Sequence, residues 1–161
     1  MGLGHRFSKL KSRTGLAVMF GPVMRFPIPS TSGEPLGSLV LRPLTRSELP
    51  ELIRDGNGFQ SHDVTKTLAR FRSYTIEDLG DWYDRTRGDD GFTWGVAVEH
   101  RGGSEETLIG VTSLSPIDLS AFPVADTGLV LTDTRWWGKG IAGAVHKCRT
   151  VFAFEQAGSS L

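Results

Sequence analysis

The sequence predicts a single α+β domain whose mixed, mostly antiparallel sheet is flanked by helices. Its 161 residues suit one domain, and the hydrophobic period changes along the chain. A helical period follows Thr75, in Leu79, Trp82, Tyr83 and Thr86. A period of two residues, typical of a strand with one buried face, comes next, in Phe92, Trp94, Val96 and Val98. The connector Gly102-Gly103 then favours an antiparallel hairpin.

A strand and short helices are predicted before this hairpin. Residues 38–44 are predicted to form a first strand. Thr45 and Glu48 make a capping-box pattern, which predicts the start of a short helix. Residues 64–72 are predicted to be helical, and the helix that follows them is expected to end at Gly88.

The elements after the glycine pair complete the predicted order. Residues 107–115 form the returning strand of the hairpin. A loop with Pro116 and Pro123 is expected to lead to another strand at residues 127–131. The last helix is predicted over residues 140–156, with an apolar stripe made of Ile141, Ala144, Val145, Cys148, Val151 and Phe152.

Charge, cysteine content and histidine spacing argue against several classes of function. Eighteen basic side chains balance eighteen acidic ones, so the net charge favours neither nucleic acid nor an anionic membrane as partner. Cys148 is the only cysteine, which excludes an intramolecular disulfide and fits a reducing compartment. We therefore predict a cytoplasmic location. The four histidines lack the spacing of metal ligands, and no metal site is predicted.

Residues 1–37 differ in composition from the rest of the chain. Glu34 is their only acidic residue, against five basic residues and an apolar patch at residues 16–20. A glycine and a proline cut this patch short, which argues against a secretory signal, and two internal methionines could each start a shorter product. We predict a disordered or mis-annotated extension, with no stable contacts before Pro35, ahead of a domain at residues 38–161.

The segment most suited to chemistry is residues 130–145. Here the end of a strand is followed by Gly138-Lys139-Gly140 and an amphipathic helix. The first amides of a helix lack internal partners, and the helix dipole adds about half a positive charge there. Glycines let a ligand approach the backbone, so the arrangement suits a phosphate, and Lys139 adds a formal charge. The alternative is that the glycines only form a tight turn and a close helix–strand contact.

A second interpretation of the same loop is a dinucleotide site. Residues 138–143 match the G-x-G-x-x-G fingerprint, which requires a strand running directly into the first glycine and an acidic residue on a following strand. Residues 132–137 intervene, and the sequence ends at Leu161. A dinucleotide-binding module is therefore kept as an alternative function.

A longer stretch of the chain resembles a known family. Residues 136–144, WWGKGIAGA, resemble the cofactor signature of GNAT-family N-acetyltransferases, usually written Q/R-x-x-G-x-G/A. Trp137 takes the Q/R place, Gly140 the glycine and Ala142 the final small residue. The family's opening strand, third strand and end of the cofactor helix are similar to residues 39–45, 108–114 and 151–158. The tryptophan is typical of the branch that resembles ribosomal-protein-alanine N-acetyltransferases.

The resemblance, which covers residues 38–161, implies a function and its residues. Acetyl-CoA would be the co-substrate, and a primary amine of a protein N-terminus or a small molecule the acceptor. Asp126 matches the base of many relatives, and a backbone amide near Val130 the oxyanion donor. For Asp126 the alternative is a solvated carboxylate at a strand end. The implied coenzyme contacts are Leu129, Val130, Leu131, Trp137, Gly138, Lys139, Gly140, Ile141 and Ala142.

The resemblance also implies that the domain is truncated at its C-terminus. The family continues past the cofactor helix with further strands and a helix, which supply the general acid, and only three residues follow Gly158 here. We expect the strand at residues 127–131 to be an exposed edge that allows self-association. A non-catalytic remnant that acts through protein contacts is the third hypothesis.

Overall fold

The chain folds around a five-stranded antiparallel sheet with the strand order β1-β2-β3-β4-β5. The structure, a computed structural model, describes residues 21–28, 30, 32–56, 58–68, 73–86, 92–103, 105–119 and 122–158; the side chains of residues 55, 56, 86, 115–119, 122–126 and 156–158 fall outside this description. The strands are β1 (Met24–Pro27), β2 (Gly37–Arg42), β3 (Phe92–His100), β4 (Glu106–Leu119) and β5 (Phe122–Leu131).

Helices cover both faces of this sheet. The α-helices are α1 (His62–Thr65), α2 (Ile76–Thr86) and α3 (Ile141–Gly158). The 3₁₀ helices are Arg46–Gly56, Gly58–Gln60, Lys66–Leu68 and Thr134–Trp136. One buried cluster joins α3 to the sheet, and a second joins the 3₁₀ helix Arg46–Gly56 and α2 to the other face. Among the described residues, no helix has both the length and the apolar character that a bilayer crossing requires.

The predicted α+β fold class is confirmed. Strands β3 and β4 pair antiparallel, with Phe92 opposite Leu114, and β5 pairs antiparallel with β4. The last helix is also present, over Ile141–Gly158. Residues 64–68 are helical in two short pieces, whereas residues 69–72 and Gly88 lie outside the described part of the chain.

Strand β3 corrects one prediction, since both of its faces are buried from Phe92 to Val98. The expected polar face consists of small residues. A Cβ added to Gly95 would lie 3.1 Å from a methyl of Leu108 and 3.4 Å from one of Leu44. Small side chains therefore let the second apolar layer pack directly on this face of the strand. The sequence alternates between large and small residues, and that pattern alone does not show that the small-residue face is buried.

The predicted loop between β4 and β5 is also wrong. Instead of a loop, the two strands continue as one hairpin in which Pro116 lies opposite Ala125 and Asp118 opposite Pro123. Strand β3 pairs with β4 only as far as Leu114, so among the described residues β4 has a single neighbour beyond that point. Proline is tolerated there because an edge position does not need its missing amide hydrogen.

The helix start at Thr75 carries both bonds of the expected cap, whereas the one at Thr45 carries only half of its capping box, because the Glu48 amide bonds the Thr45 carbonyl instead of the Thr45 hydroxyl. Thr45 donates its amide to a Glu48 carboxylate oxygen at 2.8 Å, and the hydroxyl of Thr45 donates to the same oxygen at 2.8 Å. The helix that follows is 3₁₀ and contains Pro50. At α2, the Thr75 hydroxyl accepts the Asp78 amide at 3.2 Å, and an Asp78 oxygen accepts the Thr75 amide at 2.9 Å. Each pair thus satisfies amides that the helix leaves unpaired.

The N-terminal segment overturns the expectation that residues before Pro35 lack stable contacts. Strand β1 pairs with β2, with Met24 opposite Leu41. Ile28 is 1% exposed in the core. The Trp94 indole donates to the Pro22 carbonyl at 3.0 Å. Strand and core contacts thus reach back at least to Gly21, whose amide bonds the Thr93 carbonyl, while residues 1–20 lie outside the described residues.

Truncating Ile28 should therefore destabilise the domain. Ile28→Ala removes a fully buried side chain, and we expect a loss of about 2–5 kcal/mol in the free energy of unfolding, measured by urea denaturation. Val23→Ala is the matched control, because Val23 precedes strand β1 directly, as Ile28 follows it, but is 52% exposed. Equal, small effects of the two substitutions would contradict the role given to β1.

The Glu48 carboxylate should make stability depend on pH in the acid range. Burial raises its pKa, but hydrogen bonds from Arg42 and Thr45 outweigh burial, so the pKa of Glu48 lies below its ordinary value. The corresponding stability is present above the unfolded-state pKa of about 4.3 and is lost as pH falls through the folded-state value.

We expect Glu48→Gln to lower the free energy of unfolding at neutral pH, and this effect to shrink as the pH falls below the unfolded-state pKa of about 4.3. Urea denaturation across this range measures the difference. Glu51→Gln, which removes a carboxylate from an exposed position of the same helix, is the control. A wild-type and Glu48→Gln difference that does not change with pH would overturn the assignment.

Candidate functional site

Strand β5 lies at one edge of the sheet and directs alternate backbone groups outward. The Thr132 amide donates to the Ile109 carbonyl at 2.8 Å, immediately beyond the Gly110–Leu131 pair. Hydrogen-bonded and non-hydrogen-bonded pairs alternate in an antiparallel ladder, so the polar groups of Val130 point towards β4. Those of Leu129 and Leu131 point to the open edge, where a ligand can pair with them.

Close approach of the two strands depends on Gly110. A Cβ at this position would lie 2.2 Å from the Val130 carbonyl oxygen and 3.0 Å from the Cα of Leu131. Any other residue would therefore push β5 away from β4 at the point where the edge strand ends. Glycine here sets the position of the candidate site.

A tight turn joins β5 to the glycine loop. The Asp133 carboxylate accepts the Arg135 amide at 3.1 Å and pairs with the Arg135 guanidinium at 2.7 Å. The hydrogen bond from Arg135 holds the pKa of the Asp133 carboxyl below its usual range. This short-range pair fixes the 3₁₀ turn Thr134–Trp136, which carries the chain from the strand to the loop.

Trp137 connects the loop back to the edge strand. Its indole nitrogen donates to the Leu131 carbonyl at 3.0 Å, and its side chain is 37% exposed. One outward acceptor of β5 is thus already occupied, and the indole lies beside the open edge. The neighbouring Trp136 is half-buried, with the Lys139 ammonium 5.1 Å from its ring centre.

The predicted glycine loop adopts a backbone that only glycine takes easily. Gly138 and Gly140 have φ angles of 73° and 77°. A Cβ at Gly138 would meet no atom within 4 Å, so Gly138 does not make the close helix–strand contact that was part of the alternative explanation. A Cβ at Gly143, in the first turn of the following helix, would also meet no atom within 4 Å. The turn itself does require Gly138 and Gly140, and the space around Gly138 and Gly143 is open to a ligand.

Helix α3 begins directly behind these glycines. Its first turn closes with the Ala144 amide bonded to the Gly140 carbonyl at 3.1 Å. The amides of Ile141, Ala142 and Gly143 therefore have no acceptor within the helix. Ile141 is 1% exposed and anchors the helix start in the core, whereas Ala142 is exposed. An anchored helix N-terminus with exposed amides is suited to binding an anionic group.

The glycine loop and β5, both singled out from the sequence, are neighbours in the structure. Two other residues named from the sequence are Asp126 and Val151. Asp126 lies in β5 opposite Ser115, and its side chain lies outside the described part of the chain. Val151, assigned to the apolar stripe of the last helix, is 48% exposed. Among the described residues, no group of three acidic, histidine or cysteine side chains could hold a metal ion.

Sequence reasoning missed Arg149, which is 3% exposed on the inner face of α3. Its guanidinium donates to the Thr112 hydroxyl at 2.6 Å and to the Gly128 carbonyl at 2.7 Å. Burial lowers the pKa of Arg149. The available signal was its spacing, four residues after Val145 and three before Phe152, both of which are buried.

The arrangement joins an open strand edge to an anion-binding helix start through a short loop. An extended molecule with a phosphate at one end would fit both parts at once. The antiparallel order of all five strands disfavours the doubly wound sheet that the dinucleotide interpretation needs.

Comparison with known proteins agrees with this geometry. The family model described as an acetyltransferase (GNAT) domain matches residues 38–160. No curated protein matches the chain. The family match spans about three quarters of the sequence, including every strand from β2 to β5 and the glycine loop. The chain therefore belongs to the GNAT acetyltransferase family.

Proposed function

We propose that the chain is an acetyl-CoA-dependent N-acetyltransferase that transfers an acetyl group to a primary amine. One observation carries the proposal: two left-handed glycines expose the first amides of α3 beside the open edge of β5. Family membership supports acetyl transfer in general terms. The nature of the acceptor, a protein N-terminus or a small molecule, is part of the proposal.

Each part of the coenzyme has a proposed partner. The pyrophosphate binds the amides of Ile141, Ala142 and Gly143, with Lys139 adding a positive charge. Pantetheine extends along β5, where the amides of Leu129 and Leu131 point outward. Trp137 borders both parts, because its indole holds the end of β5 from within the loop.

The proposed reaction is direct attack of the amine on the thioester carbonyl carbon. A new C–N bond forms, the C–S bond breaks, and the coenzyme leaves as a thiolate. The amine must be deprotonated, and Asp126 is proposed to accept its proton directly or through a water. An outward amide of β5 next to Val130 stabilises the negative charge that develops on the carbonyl oxygen.

Finer assignments also belong to the proposal. The Trp137-Gly138-Lys139-Gly140 run supports the branch that resembles ribosomal-protein-alanine N-acetyltransferases. The single cysteine supports a cytoplasmic location. Self-association through the edge of β5 is checked by light scattering.

Substitutions in the loop should weaken coenzyme binding unequally. Gly140→Val places a branched side chain at a φ of 77°, so we expect binding of acetyl-CoA to become undetectable by calorimetry. Lys139→Ala should raise Kd by about fivefold or less, because an exposed charge contributes little beside the backbone amides. Lys147→Ala, on an exposed part of the same helix, should leave Kd unchanged.

The same titration separates the competing functions. Binding of NAD but not of acetyl-CoA by folded wild type would replace the proposal with the dinucleotide-binding module. Binding of neither ligand would favour a remnant that acts through protein contacts. Circular dichroism confirms that each variant is folded.

Removing the proposed base should affect the reaction more than binding. We expect Asp126→Asn to lower kcat for acetyl transfer to a model amine by about 100-fold, the lower range for loss of a general base, with little change in the Kd of acetyl-CoA. Asp81→Asn, at an exposed position of α2, is the control. Activity of Asp126→Asn equal to that of the control would leave Asp126 as an ordinary strand-end carboxylate.

A further inference from the structure

Arg149 is a buried cation that joins three parts of the fold. It lies on α3, and its Nη1 donates to the Thr112 hydroxyl on β4 and to the Gly128 carbonyl on β5, at 2.6 and 2.7 Å. Its Nη2 lies 3.2 Å from the His146 Nδ1. A guanidinium has only donors, so this ring nitrogen accepts. One side chain thus ties helix α3 to the edge strand β5, three residues before that strand ends at Leu131.

Stability alone does not explain this side chain. Among the described residues, the ion pairs do not include Arg149, and its buried Nε has no hydrogen-bond partner. A buried charge without a counter-charge is costly, and an apolar residue of similar size is commonly as stable. The Thr112 hydroxyl also donates to the Gly128 carbonyl, at 2.7 Å, so this acceptor has a partner without Arg149.

The position of Arg149 matters because the candidate site has two separate parts. The start of α3 offers amides to a phosphate, and β5 offers outward groups to an extended arm. The chain between them contains the two left-handed glycines and the exposed Lys139. Trp137 holds the far end of β5 at the Leu131 carbonyl. Arg149 holds the same strand at Gly128, directly from the helix.

We propose that Arg149 is a positioning residue that keeps β5 and α3 in the relative placement needed to bind both halves of one coenzyme. This inference rests on the proposed function. It means that Arg149 strengthens binding of a ligand that spans strand and helix, while it contributes little to a ligand that touches the helix start alone.

The test compares two ligands on one variant. Acetyl-CoA has the pantetheine arm, whereas ADP has the pyrophosphate without it. In Arg149→Met we expect the Kd of acetyl-CoA to rise about tenfold, equivalent to about 1.4 kcal/mol, and the Kd of ADP to change by less than about twofold. Lys147→Met is the matched control on the exposed side of α3 and should leave both values unchanged.

A second variant and a second measurement keep the inference testable if Arg149→Met does not fold. Arg149→Lys keeps the charge, but its single ammonium cannot replace both the Nη1 contacts with Thr112 and Gly128 and the Nη2 contact with His146. It should therefore show the same selectivity with a smaller change. Amide hydrogen exchange of the free protein should become faster within residues 128–131 in Arg149→Lys, at Gly128 and Val130, whose amides face β4. The amide of Ala144, which bonds the Gly140 carbonyl, should be unchanged.

The outcomes distinguish this inference from the proposed function. Wild type that binds neither ligand contradicts the proposed function. Wild type that binds acetyl-CoA, with variants that bind it equally well or lose both ligands by the same factor, overturns only the role of Arg149. Unchanged exchange at residues 128–131 also overturns it, as does faster exchange over the whole domain, which would indicate a merely structural residue.

Discussion

The pairing of β5 with β4 is the constraint on which the candidate site depends. A strand with one neighbour leaves half of its backbone polar groups unpaired on the other side. The register of this pair decides that the groups of Leu129 and Leu131, and not those of Val130, face the open edge. Gly110 makes the register possible, because any side chain there would collide with the backbone of β5.

Two apolar layers hold that sheet in place. Trp94, Val96 and Val98 pack under α3, whereas Leu44, Leu49 and Leu108 pack on the opposite face. Small residues on β3 allow the second layer to approach. The first layer also needs the N-terminal segment, because Ile28 is buried in it and Pro22 accepts the Trp94 indole hydrogen. The segment before β2 is therefore part of the apolar layer on which helix α3 packs.

The candidate site joins parts of different stiffness. The helix start is fixed by buried Ile141, and the turn before the loop is fixed by the Asp133–Arg135 pair. Between them the glycine loop owes its shape to φ angles rather than to side-chain contacts. Backbone of this kind, with no side chain at the glycines, is suited to close approach by an anionic ligand.

The sequence by itself determined the features that local patterns encode. Alternation identified β3, and the glycine pair after it identified β4 as the returning strand. Threonine and acid pairs identified the helix starts at Thr45 and Thr75. The glycines at 138 and 140 identified the loop before α3. The residues that make up each of these signals lie close together in the sequence, so each signal can be recognised without knowing the tertiary structure. The tertiary structure alone decided the pairing of β1, the burial of both faces of β3 and the contact of Arg149 with Gly128. Such contacts join residues far apart in the chain, and nothing in a local period marks the partner; they form only because packing brings two surfaces together.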